Sequence, residues 1–145
     1  MYNYKEIQDG LFVLSIDNHE CIVASLSAFC SEKNVTCGRI GGLGAVSEAT
    51  FRFLDPGTHK YVDKTFARQM EITNLTGNIS SKDGKPYLHI HLTCSTSEYE
   101  CVGGHLLEAR VNGACELFVE DWSGKAKVGR RQDPETGLNL YDFSE

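Results

Sequence analysis

Tyr87-Leu88-His89-Ile90-His91-Leu92-Thr93-Cys94 alternates polar and apolar residues at every step, and Gly103-Gly104-His105 follows shortly after. A period of two predicts a β-strand with Leu88, Ile90, Leu92 and Cys94 on its core face and Tyr87, His89, His91 and Thr93 on the other. His89 and His91 then stand side by side. The two glycines let the backbone that carries His105 approach closely. Three converging imidazoles supply neutral nitrogen ligands and leave a position open for water or substrate, as an open metal site requires. The competing reading is a solvated His-x-His pair on a polar strand face. His19, near an expected helix start, and His59, after Asp55-Pro56-Gly57, read as surface residues.

Outward from that strand, Ser81-Lys82-Asp83-Gly84-Lys85 is a hairpin signal joining it to a strand near Phe66–Ile79. Gly10–Asp17 and Val35–Ile40 read as strands, and Gly41–Ser47 as a glycine-rich turn between Val35–Ile40 and a strand near Ser47–Leu54. Gly104–Val111 and Ala114–Glu120 flank a second turn at Asn112-Gly113. A helix is expected from about His19 to Lys33, capped by Asp17 or Asn18, with Ile22, Val23, Leu26, Phe29 and Cys30 as its apolar stripe. One substantial helix and about seven strands argue for an α+β fold with a largely antiparallel sheet, in a single domain over residues 1–145. The glycine-rich segment lacks the third glycine of a dinucleotide fingerprint and the Lys-Ser/Thr ending of a P-loop, so nucleotide binding is not expected.

The composition narrows the function. A hydrophobic share of 41% is that of a globular protein, and no apolar run is long enough to span a membrane. The first residues lack a signal-peptide layout, so a cytoplasmic protein is expected. Six cysteines without a Cys-x-x-Cys pair read as reduced thiols: Cys21, Cys30, Cys94 and Cys115 in the core, Cys37 and Cys101 nearer a site. A formal net charge of −6 disfavours nucleic-acid binding by phosphate neutralisation. The short basic run Lys125, Lys127, Arg130 and Arg131 reads as a solvated loop.

Several segments stand in an order that resembles one family: Gly42-Leu43-Gly44-Ala45-Val46, Met70-Glu71-Ile72 with Leu75 and Gly77-Asn78-Ile79, Pro86 to His91, Gly103 to Leu106, and Cys115-Glu116-Leu117. Together they resemble the PPC domain of plants and prokaryotes, over nearly the whole chain. The resemblance implies a homotrimer, a fold akin to acetolactate decarboxylase, and a common site for His89, His91 and His105 holding zinc or another divalent transition metal. In plants this domain accompanies AT-hooks and the whole protein binds AT-rich DNA. Here no Arg-Gly-Arg-Pro core is present, and the plant motif Gly-Arg-Phe-Glu-Ile-Leu corresponds to Arg68-Gln69-Met70-Glu71-Ile72-Thr73.

Two functions follow from different classes. A metal-dependent enzyme or small-molecule binder would use His89, His91 and His105 as ligands, with attack on a carbonyl or decarboxylation of a keto acid as its chemistry. Glu71 and Glu116 are the candidate catalytic carboxylates because each interrupts an apolar strand, and Arg39 is a candidate for holding a substrate carboxylate. A DNA-associated or regulatory interaction module would use the same domain without catalysis. A structural metal completed by Cys101 is a third, narrower reading.

Overall fold

The alternation over Tyr87–Cys94 is realised as a strand, and the physical reason is visible on both of its faces. In the computed structural model, which describes residues 1–144, the chain runs β1 (Tyr2–Gln8), β2 (Leu11–Ile16), α1 (Ile22–Lys33), β3 (Gly38–Asp55), β4 (Lys60–Phe66), β5 (Met70–Lys82), β6 (Lys85–Ser95), β7 (Cys101–Asp121), β8 (Gly129–Gln132) and β9 (Asn139–Asp142). Ile90, Leu92 and Cys94 of β6 are buried, while the intervening positions are open to varying degrees. The sheet order is β1-β2-β7-β3-β5-β8-β9, with β4 added to β3 and β6 bridging β5 and β7. All pairings except that of β5 with β8 are antiparallel. The α+β reading with a largely antiparallel sheet therefore holds.

Because β3 pairs with β5, β5 with β6, β6 with β7 and β7 with β3, four strands form a closed hydrogen-bonded circuit. That closure places His91 directly opposite His105. It needs a close approach at Gly103, where an added Cβ would lie 2.5 Å from the Leu92 carbonyl oxygen. The hairpin at Asp83-Gly84 forms as expected, with positive φ at both residues (53° and 73°).

The helix is shorter than its sequence pattern suggests. Ile22, Ser25, Leu26, Phe29 and Cys30 are its buried positions, at the spacing of one helical face. It ends at Asn34, which takes the left-handed conformation (φ 57°) and donates its N–H to the last carbonyls. The expected caps are used elsewhere: Asp17 pairs with the N-terminal ammonium, and Asn18 accepts from the Gly113 N–H at 3.0 Å. The free amides of Val23 and Ala24 donate instead to the Glu108 carboxylate of β7, at 2.8 and 3.1 Å. A negative charge at this helix end also faces the positive pole of the peptide dipoles.

Both glycine-marked turns are corrected. Gly41–Ser47 lies inside β3, and Asn112-Gly113 inside β7. These long strands bend through register shifts, between Gly44/Val46 and between Val46/Glu48. At Gly42 the glycine serves packing, since an added Cβ would lie 2.4 Å from the Glu116 carbonyl oxygen. Continuous strands replace turns there, and β1, β4 and the short β8 and β9 join the expected set. The span near Phe66–Ile79 divides, with Phe66 closing β4 and Met70 opening β5.

Candidate metal centre

His89 and His91 occupy the outward face of β6, and His105 faces them from β7. The ring centroids are 5.2 Å apart for His89 and His91, 5.0 Å for His89 and His105, and 5.6 Å for His91 and His105. One nitrogen from each ring falls within 4.8 Å of the other two. Among the described residues no other His, Cys, Asp or Glu joins this group.

Burial holds His89 well below the ordinary histidine range, at about 4, and the neighbouring His105, His91 and Arg130 add to the shift. His105 is lowered by burial first, then by His91 and Arg52. At neutral pH these two rings are therefore unprotonated, with a lone pair free for a cation. The donor set is all nitrogen, which suits zinc and the later first-row divalent metals.

The triad forms part of the wall of a cavity of about 1150 Å³. Phe53, Val62 and Leu140 contribute an apolar wall, and Arg52, Lys64 and Arg130 contribute cations. Among the described residues no Asp or Glu lines it. Arg52 is matched by Asp63 in a two-bond pair, 2.8 Å for each bond. Arg130 has no carboxylate partner among the described residues. It donates from Nε to Ser80 Oγ (2.8 Å), from Nη1 to the Asn139 carbonyl (2.9 Å) and from Nη2 to Asn78 Oδ1 (2.7 Å). Its guanidinium lies over the rings of Tyr87 and Tyr141, at 5.1 and 4.2 Å. A second hollow of about 360 Å³ opens on the other side of His89 and His91, lined by Arg39 and Trp122 among others.

The remaining sequence candidates are placed as follows. Arg39 is exposed and 3.6 Å from Glu120, on the smaller hollow. Cys101 lines the large cavity, and all six cysteines are free thiols, with Cys37 buried and Cys21 only partly so. Glu71 and Glu116 do not line either cavity. Glu71 stands opposite Ala45 and Ser95, Glu116 opposite Leu43 and Ser15, and both are exposed. The interruptions they make in apolar sequence are the outward positions of alternating strands. His19 and His59 lie in turns, each with positive φ. Arg130 was hidden in a basic run that reads as solvated. Only its position on β8, against Asn78 and Ser80, separates it from Arg131.

Comparison with known proteins bears on this geometry. The family model of the Plants and Prokaryotes Conserved (PCC) domain matches residues 5–123. A crystal structure of a candidate DNA-binding protein from Bacteroides thetaiotaomicron is 50% identical, with TM-score 0.96 over 100% of this chain and 99% of that one. A structure described as a metal-containing protein, from Archaeoglobus fulgidus, is 35% identical, with TM-score 0.84 over 98% of each chain. A Staphylococcus aureus protein of unknown function, similar to α-acetolactate decarboxylase, shares the fold at 13% identity, with TM-score 0.55 over 86% of this chain and 62% of that one. No curated protein matches the sequence.

Proposed function

The chain belongs to the Plants and Prokaryotes Conserved domain family, and from that premise we propose that it is a zinc-binding homotrimer whose three-histidine site acts on, or senses, a small carbonyl-containing ligand. The observation that carries this reading is the convergence of His89, His91 and His105 with two of the rings kept neutral. The donors fit the ion: three imidazole nitrogens, no carboxylate among them, and a cavity on the open side. Zinc, or a related divalent metal, would supply Lewis-acid polarisation of a carbonyl oxygen.

The chain's own residues do the rest. His89, His91 and His105 hold the ion, and the buried side of β6 fixes the rings by locking the strand beneath them. Phe53, Val62 and Leu140 give one side of the cavity an apolar surface. Proton transfer by Glu71 or Glu116 belongs to the trimer part of the proposal, since within one chain neither reaches the cavity. Both lie on the face of the sheet opposite the helix. Glu116 stands beside the exposed Leu43 (55%) and Phe118 (54%), an apolar pair that a second copy would cover. Six free thiols are compatible with a cytoplasmic site of action. No helix is long and apolar enough to cross a membrane.

Elemental analysis by mass spectrometry tests the site directly. Untagged protein should carry about one zinc or similar ion per chain, and the His89→Ala/His91→Ala variant none. Protein that stays metal-free after zinc reconstitution and dialysis rules the reading out. Light scattering coupled to size exclusion reports the trimer, and Phe118→Asp should dissociate it.

The similarity to a candidate DNA-binding protein favours one second reading, a DNA-associated module. A mobility shift that weakens steeply with salt would support it. The basic run that would serve it is interrupted, because Arg130 is engaged at the cavity wall.

A further inference from the structure

We propose that the large cavity binds an organic monocarboxylate carrying an apolar group, with the C-terminal hairpin β8–β9 supplying its anchor, Arg130. The inference deepens the function proposed above and rests on it for the chemistry, though binding itself needs no ion.

Three observations converge. First, the cavity has an unusual charge for an acidic protein. Among the described residues it is lined by three cationic side chains and no carboxylate, in a chain with a formal net charge of −6. Arg52 is matched by Asp63, whereas Lys64, whose ammonium lies over the Phe66 ring at 4.8 Å, and Arg130 have no carboxylate partner among the described residues. Of these two, Arg130 is the one tied to a residue beside the triad, and the apolar wall near it favours an anion that carries an apolar group over inorganic phosphate.

Second, Arg130 is held as a fixed donor. Its three hydrogen bonds go to neutral acceptors, and it is stacked against Tyr87 and Tyr141. A guanidinium carries five N–H groups, so two stay available after those three. Arg130 is half-buried and has no carboxylate partner among the described residues, so a ligand carboxylate would complete it. The planar fork suits a carboxylate.

Third, the anchor stands next to the triad. Asn78, the Nη2 partner of Arg130, is the residue directly across from His89 in the β5–β6 register. Tyr87, on which the guanidinium stacks, is two residues before His89 on the same face. A carboxylate at Arg130 would thus place the adjoining carbons over the histidines. The apolar remainder would meet Phe53, Val62 and Leu140, all exposed within the cavity. The hairpin that brings Arg130, Asn139 and Leu140 lies beyond residues 5–123 matched by the family model.

Isothermal titration of 3-phenylpropanoate, 3-phenylpropanamide and inorganic phosphate into the full chain, both zinc-loaded and metal-free, tests the proposal. The acid should bind metal-free protein at least about tenfold more tightly than the amide, the effect of one charge-assisted hydrogen bond. Phosphate should not displace it. Arg130→Gln should remove that preference. Arg130 also ties β8 to β5, so Val62→Asp, at an exposed position, gives an independent arm: the new carboxylate should repel the acid and spare the amide. Equal binding of acid and amide, an undiminished preference in both variants, or displacement by phosphate would overturn the proposal. Acid selectivity in a protein that takes up no zinc would refute the metal reading alone. Zinc uptake without acid selectivity would refute this inference alone.

Discussion

The two faces of strand β6 differ in almost every property, although they share one backbone. On the helix side Ile90 and Leu92 are 2% and 1% exposed and pack into the core cluster. On the other side His89 and His91 face a cavity with His105. The inner face is chosen by the removal of apolar surface from water, which contributes roughly 25 cal/mol per Å². The outer face contributes little to that term and is free to carry chemistry. Stability and ligand binding should therefore be separable, residue by residue, along eleven positions of a single strand.

The largest expected effect breaks the inner face. Leu92→Ala should lower the free energy of unfolding by about 2–5 kcal/mol, read from urea denaturation, because the closed strand circuit around it cannot collapse into the void. Zinc stoichiometry of the molecules that stay folded should be unchanged. The complementary change, His91→Ala, should weaken zinc binding by more than the roughly 10–100-fold that changes outside the ligand set produce. Its metal-free unfolding free energy should stay within about 0.5 kcal/mol of the parent chain, as for other solvent-facing positions. If His91→Ala unfolds the protein, the outer face is a second core and the division fails.

Much of this division was legible in sequence because alternation is a local signal. The histidines on β6 announced their face, and their apolar neighbours announced the other. The pairing of His91 with His105 was suggested by Gly103-Gly104, since a glycine marks where strands must come close. Gly41–Ser47 misled for the same reason: glycines that permit close packing inside a long strand look like glycines that make a turn. β1 and β4 were missed because most of their positions are exposed, and their contacts with the core rest on a few aromatic side chains such as Tyr2 and Phe66. Arg130 and Glu108 were illegible for a different reason. Each acts on partners far away in the chain, Asn78 and Ser80 for one and the start of α1 for the other. No local pattern separates them from ordinary surface charges.

Glu108 offers a smaller test of how the helix is joined to the sheet. Its carboxylate satisfies two of the amides that α1 leaves open, in place of a local cap. Glu108→Ala should cost about 1 kcal/mol, the usual effect of losing a cap, and lower the thermal midpoint. Glu108→Gln, which keeps one acceptor, should recover part of it. A loss confined to α1 amides in hydrogen exchange would show that the effect is local. No change in either variant would mean that water serves these amides equally well.

The smallest effect sharpens the comparison at the histidine face through pH. His89 is held at about 4 in the folded chain, against an ordinary value of 6.5. Above about pH 6.5 the ring is neutral in both folded and unfolded chains and stability does not depend on it. As pH falls from there toward 4, the unfolded chain takes up a proton that the folded chain excludes, so stability declines through that window. Metal-free protein should therefore lose thermal stability over this range more steeply than His89→Asn, whose side chain does not titrate. Both proteins share the same carboxylates, so the background from other groups cancels in the difference. The ring is partly open to solvent, which limits the size of that difference. Bound zinc should steepen the decline further, since protons compete for the same lone pairs. Identical pH slopes in the metal-free parent and His89→Asn would mean that the imidazole protonates freely in the folded state. The outer face of β6 would then be an ordinary wet surface, without the desolvation that holds the His89 ring neutral well below pH 6.5.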